Sequence, residues 1–214
     1  ERCLRSLYGI DEIVIVDTGS DDSTGEIVKK LVEEFKGTTD IKYYEGVYKW
    51  NDNFAEARNE SLKRCTGDWI FTIDCDNWLI TPIADIRKEI AIAVEKGMRS
   101  IACTYVSEKD DFRHDLPLLY KRCPEIYWKG AIHNYMSDTD GYKGGDILVK
   151  YDYSPSHSND PDRSFRILKK VVTENPDCVR EKFYLAKEYF NRGNYHDALY
   201  WYKKYLPKSN FGAE

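Results

Sequence analysis

The sequence predicts an α/β fold: a three-layer domain over residues 1–158, with a mainly parallel sheet flanked by helices, then an α-helical extension over residues 159–214. Three observations carry that expectation. Short, continuous apolar runs alternate with segments of helical period, the pattern of strands buried on both faces between helices. Two of these runs, IVIV and WIFTID, stop at an aspartate, at the strand ends where such folds build their sites. Beyond Asp162 the spacing is helical as far as Leu206, broken at Asn175-Pro176 and around Gly193.

In chain order, ERCLRSL at the start reads as the middle of an amphipathic helix, so further sequence upstream is expected. Ile13 to Val16 is a β-branched strand ended by Asp17, and Thr18, Gly19 and Ser20 make a polar turn. Ser23 or Thr24 can cap a helix striped by Ile27, Val28, Leu31, Val32 and Phe35. Ile41 to Tyr44 is a short strand, Phe54 to Cys65 a helix, and Trp69 to Asp74 a second buried strand. Ile86, Ile90 and Val94 stripe the next helix, which Gly97 closes as a C-cap, and Ser100 to Val106 follows as a strand. From Phe112 to Tyr153 the texture turns to short β-like pieces (LPLLYK, IYW, ILVKY) broken by Gly and Pro. Asp160-Pro161-Asp162 opens a helix, because Pro needs no amide hydrogen in the first turn. The last two helices, Val179 to Arg192 and Tyr195 to Leu206, carry Leu185, Ala186, Tyr189, Gly193, Ala198 and Tyr202. These small and large residues resemble the interlock of one tetratricopeptide hairpin.

Composition narrows the partners. The 37 acidic and 32 basic residues give a net charge of −5. No basic stripe is present to track a phosphate backbone, which argues against nucleic acid. Six cysteines are scattered singly, without the spacing of a zinc site or a disulfide framework, and fit a reducing, cytoplasmic compartment. No apolar run approaches the roughly 20 residues of a transmembrane segment.

The sharpest chemical signal is IDCD, which sets Asp74 and Asp76 one residue apart at a strand end. Two such carboxylates can turn toward a hard divalent cation, Mn²⁺ or Mg²⁺, and leave room on it for diphosphate oxygens. Alone, the pair reads more readily as solvated turn carboxylates. Arg58 can give a diphosphate charge-assisted, bidentate contacts; its other reading is a surface ion pair with Glu56 or Glu60.

The order VDTGSDDST, FAEARN, IDCDNW resembles the GT-A glycosyltransferases of family 2. That resemblance implies a GT-A fold and an enzyme that moves a sugar from a nucleoside diphosphate, UDP or GDP linked, to an acceptor with inversion. It implies that Asp17, in the turn with Thr18 and Ser20, contacts the donor nucleoside. Asp74 and Asp76 would bind ribose, metal and diphosphate, and Arg58 and Asn59 would lie close to the donor. YWKGAIHN resembles the W-x-G-x-x-H-E segment of a branch that often carries tetratricopeptide helices. Trp128, Gly130 and His133 match, which implies contacts of Trp128 and His133 with sugar or acceptor. Asn134 stands in place of Glu, so no acidic role carries over; likewise Leu118 replaces the arginine of the P-x-R-L-F-R stretch. His157 corresponds to a histidine of this branch and would be a third metal ligand.

An inverting transfer also needs a general base on the acceptor side. Glu108, Asp110, Asp111 and Asp115 lie in that region, and Asp115 is preferred because it directly precedes LPLLY. The acceptor would be a glycan, lipid or peptide. The family's first strand, which supplies part of the nucleobase pocket, would lie before Glu1. A glycosyltransferase-like protein without catalysis, acting as a binding module or scaffold through its helical hairpin, is the alternative. The absence of a GxGxxG segment argues against a dinucleotide-binding oxidoreductase.

Overall fold

The computed structural model describes residues 1–110, 112–138, 141–152 and 159–208. They pack as two compact units: Glu1–Asn51, Glu56–Lys129 and Tyr135–Ser154 form the first, and Asp52–Ala55, Gly130–Asn134 and Pro155–Glu214 the second.

In the first unit α1 (Arg2–Ser6) leads into β1 (Glu12–Val16), α2 (Thr24–Phe35) and β2 (Asp40–Tyr44). β1 and β2 pair in parallel, from Glu12 opposite Asp40 to Val16 opposite Tyr44. Parallel neighbours need a crossover, which α2 supplies. The expected stripe anchors that helix: Val28, Leu31 and Phe35 are buried, and Ile27 and Val32 pack against the same core.

After α3 (Phe54–Leu62) come β3 (Trp69–Phe71), β4 (Asn77–Leu79), α4 (Ile83–Glu95), β5 (Ser100–Ser107) and β6 (Arg113–Lys121). Two short strands, β7 (Trp128–Lys129) and β8 (Tyr135–Met136), pair antiparallel before β9 (Gly141–Tyr151). A five-stranded sheet has the order β3-β6-β5-β9-β4. Its core holds Ile101, Cys103, Leu119, Ile147 and Val149, each at most 2% exposed.

The α/β class holds, but strand direction is more mixed than the apolar runs suggest. β5 and β9 are parallel, whereas β3–β6, β5–β6 and β4–β9 are antiparallel. A continuous apolar run reports that both faces are covered, and it carries no information on direction. The short link from β5 to β6, closed where Ser107 N–H donates to Phe112 O, suits only antiparallel neighbours. Pro117 is admitted to β6 at a register shift: Ile101 faces Leu119, and Cys103 faces Leu116.

Two helix details refine the sequence pattern. On α4 the buried face is Ile86, Ile90 and Ala93, while Val94 is 60% exposed. At 3.6 residues per turn the seventh residue after Ile86 returns closer to its face than the eighth. Gly97 ends α4 at φ +67°, with its N–H on Val94 O and Met98 N–H on Ala93 O. That is the left-handed cap expected of it.

The second unit contains α5 (Arg163–Glu174), α6 (Arg180–Asn191) and α7 (Tyr195–Tyr205), closed by a 3-10 turn at Leu206–Lys208. Leu168, Val172 and Leu185 form its core, with Ile132, Phe165, Tyr189 and Trp201 packed around them. Gly193, at φ +75°, turns α6 into α7. Arg166 ties the segments together by bonding Asp52 at 3.2 Å and Asp160 at 2.9 Å. Among the described residues no helix is long and apolar enough to cross a membrane.

Candidate functional site

Asp17 follows β1 directly, and its N–H donates to Tyr44 O at 2.9 Å, which extends the β1–β2 ladder to the turn. Its Oδ1 accepts from Gly19 N–H at 2.8 Å and Ser20 N–H at 2.7 Å, and its Oδ2 accepts from the Tyr43 hydroxyl. Burial works against the charge, but Tyr43 and the amides of Ser20 and Gly19 outweigh it and hold the carboxyl at about 2. Asp17 is therefore an anion at neutral pH that shapes the turn. Thr18 contributes its carbonyl, which accepts from Trp50 N–H at 3.1 Å, and Ser20 is exposed. Tyr43, the residue that fixes Asp17, carries no motif. Its signal is the parallel pairing that sets it opposite Ile15, two residues before the aspartate.

A second group gathers around α3. Arg58 Nη2 bonds Asp74 Oδ1 at 2.6 Å, and the guanidinium lies 5.1 Å from the centroid of the Trp128 ring. Neighbouring Asn59 uses both halves of its amide on the Trp128 backbone, donating to O at 2.9 Å and accepting from N–H at 2.8 Å. Asp74 and Asp76 lie in the turn between β3 and β4. Asp74 O accepts from Asn77 N–H at 3.0 Å, and the buried Asn77 donates from Nδ2 to the Tyr105 hydroxyl at 2.9 Å. Burial, and then the Asp74 charge, raise Tyr105 above the ordinary phenol range. Asn77 and Tyr105 thus support the DxD turn, a role that no motif announces.

The structure therefore joins Arg58, Asn59, Asp74 and Trp128 in one bonded group. Asn59, expected near the donor, has its amide committed to Trp128. Asp115, on β6, faces Thr104 of β5, whose hydroxyl donates to its Oδ1 at 2.7 Å. His133 belongs to the second unit, at φ +49°, with its ring stacked 4.1 Å from that of Tyr184. Desolvation of the ring, then the charges of Arg180 and Lys187, push its pKa down to about 4. His157 lies outside the described residues.

Among the described residues no set of three or more His, Cys, Asp or Glu could hold a metal ion. Two hard carboxylates do not cage a cation. They suit one that keeps waters and shares its remaining positions with a diphosphate.

The sequence model described as Glycosyl transferase family 2 matches residues 1–141, a stretch that spans Asp17, Arg58, Asn59, Asp74, Asp76, Asp115 and Trp128. The chain belongs to glycosyl transferase family 2. Among its relatives, the glycosyltransferase SunS of Bacillus phage SPbeta is 23% identical over 208 residues, 88% of this chain and 45% of SunS. A TPR repeat-containing protein of Synechococcus elongatus is 27% identical over 144 residues, 64% of this chain and 32% of that protein. The chain thus spans less than half of either relative. The crystal structure of S. aureus TarS 1-349 in complex with UDP superposes with a TM-score of 0.54 at 16% identity, covering 89% of this chain and 66% of that one. At that identity the likeness to TarS is one of fold, and that fold is GT-A.

Proposed function

We propose that this chain is the donor-binding part of an enzyme that transfers a sugar from a nucleoside diphosphate to an acceptor, using Mn²⁺ or Mg²⁺ and inverting the anomeric carbon. The observation that carries this reading is the Arg58–Asp74 contact in the turn between β3 and β4: an arginine is bonded at 2.6 Å to the first carboxylate of a DxD, and that carboxylate's side chain is 52% exposed. Asp74 and Asp76 would hold the cation, which would offset charge on the departing diphosphate. Arg58 would bind the diphosphate, and Asp17, with Thr18 and Ser20, the nucleoside. Because the TarS crystal carries UDP, a UDP-sugar is favoured over its GDP counterpart.

Trp128 would contact the sugar or acceptor, with Asn59 positioning it. Kept neutral by its surroundings, His133 would serve as a hydrogen-bonding group. Asp115, exposed and oriented by Thr104, would take the acceptor proton as the acceptor oxygen or sulfur bonds to the anomeric carbon and the bond to the diphosphate breaks. The helices of the second unit, related in pattern to a tetratricopeptide hairpin, support a peptide as acceptor over a glycan or lipid. Six unpaired cysteines fit a cytoplasmic setting.

The test is calorimetric titration of UDP and GDP, with and without Mn²⁺, into the chain and its Asp76→Ala variant. Metal-dependent binding of UDP that disappears in the variant supports the assignment. Equal binding by both proteins removes Asp76 from the site.

A further inference from the structure

We infer that Arg58 is an exchangeable counter-ion, which holds Asp74 until a divalent cation enters with a nucleoside diphosphate and then passes from the carboxylate to the diphosphate. This rests on the donor-site reading above.

The two partners differ in access. The Arg58 side chain is 21% exposed and that of Asp74 52% exposed. Arg58 is also held against the Trp128 ring, whose backbone Asn59 fixes. The carboxylate therefore opens to solvent while the cation bonded to it is the sheltered, positioned member. A metal that binds Asp74 competes with Arg58 Nη2 for Oδ1, because two cations a few Å apart on one carboxylate repel each other. Displaced alone, Arg58 loses a charge-assisted bond. When a diphosphate accompanies the metal, the guanidinium regains such bonds in a bidentate form that phosphate oxygens suit better than one carboxylate oxygen.

Metal and nucleotide should consequently bind with positive coupling, and the coupling is reciprocal. Arg58 carries it, opposing the metal by itself and favouring the pair.

The experiment measures free Mn²⁺ by electron paramagnetic resonance, with and without UDP, for the wild-type chain, Arg58→Gln and Arg58→Lys. In the wild type UDP is expected to raise Mn²⁺ affinity by about fivefold or more. Arg58→Gln should bind Mn²⁺ alone about fivefold more tightly than the wild type, and should lose most of the enhancement by UDP. Arg58→Lys, which keeps the charge, should stay close to the wild type for Mn²⁺ alone. If Arg58→Gln gains no affinity for Mn²⁺ while the wild type still binds UDP with the metal, the exchange is wrong and the donor site stands. If UDP and Mn²⁺ bind the wild type without coupling, the exchange is likewise wrong, whether or not the variants fold. If no protein binds Mn²⁺ under any condition, both the donor-site reading and this inference fall.

Discussion

Asn59 grips Trp128 by its backbone: one amide side chain donates to the Trp128 carbonyl at 2.9 Å and accepts from its N–H at 2.8 Å. Two neighbouring residues of the ARN segment therefore work in tandem, with Asn59 setting the position of the indole on which Arg58 rests. Asn59→Ala removes both bonds and leaves a partly buried peptide group without them. The expected loss is about 1–3 kcal/mol, read from urea unfolding. Asn59→Asp keeps only the acceptor and sets a carboxylate against a carbonyl oxygen, so it should be no better than Ala. Wild-type stability in both variants would show that the clamp contributes nothing.

Asp17 gives a pH dependence of defined sign. Its folded-state pKa, about 2, is lower than the ordinary 3.8, so its stabilisation is complete above pH 4 and is lost as pH falls toward 2. Tyr43→Phe deletes one of the bonds that hold the anion, so the Asp17 pKa should rise toward the ordinary value. Carboxyl-carbon NMR titration of both proteins measures this, and an unchanged pKa would assign the depression to the turn amides alone.

His133 should remain neutral down to about pH 5, since desolvation and the charges of Arg180 and Lys187 hold its pKa at about 4. A depressed histidine binds fewer protons folded than unfolded, so its contribution is fully present above pH 6.5 and declines as pH falls from there toward 4. Tyr184→Ala uncovers the ring and should bring its pKa back toward 6.5. Imidazole proton shifts followed from pH 3 to 8 check both values.

Gly97→Ala tests a cap. At φ +67° no atom lies within 4 Å of the added methyl, so the cost is backbone strain alone, about 1 kcal/mol. Gly97→Asn, which tolerates the left-handed region better, should lose less. Thermal melts rank the three proteins, and an Ala variant as stable as the wild type would mean that the helix end relaxes freely.

The residues that ended the apolar runs were legible from their order alone. Asp17 directly follows the β-branched run of β1, whereas the second run is strand only as far as Phe71, three residues short of Asp74, and the stripe of α2 projects Val28, Leu31 and Phe35 inward as its period requires. Burial periodicity and run-ending polar residues are local properties, so the sequence by itself determined the α/β class, most of the elements and the carboxylates offered in the turns that follow β1 and β3. Partners across the fold are not local. Tyr43 on Asp17, Asn59 on Trp128 and Arg58 on Asp74 join residues 16 to 69 positions apart. The strand directions within the five-stranded sheet, and the placement of Asp52–Ala55 and Gly130–Asn134 with the C-terminal helices, are of the same kind. Only the tertiary structure decided these, because hydrogen bonds and ion pairs depend on which side chains packing brings within about 3 Å, a distance that sequence spacing does not encode.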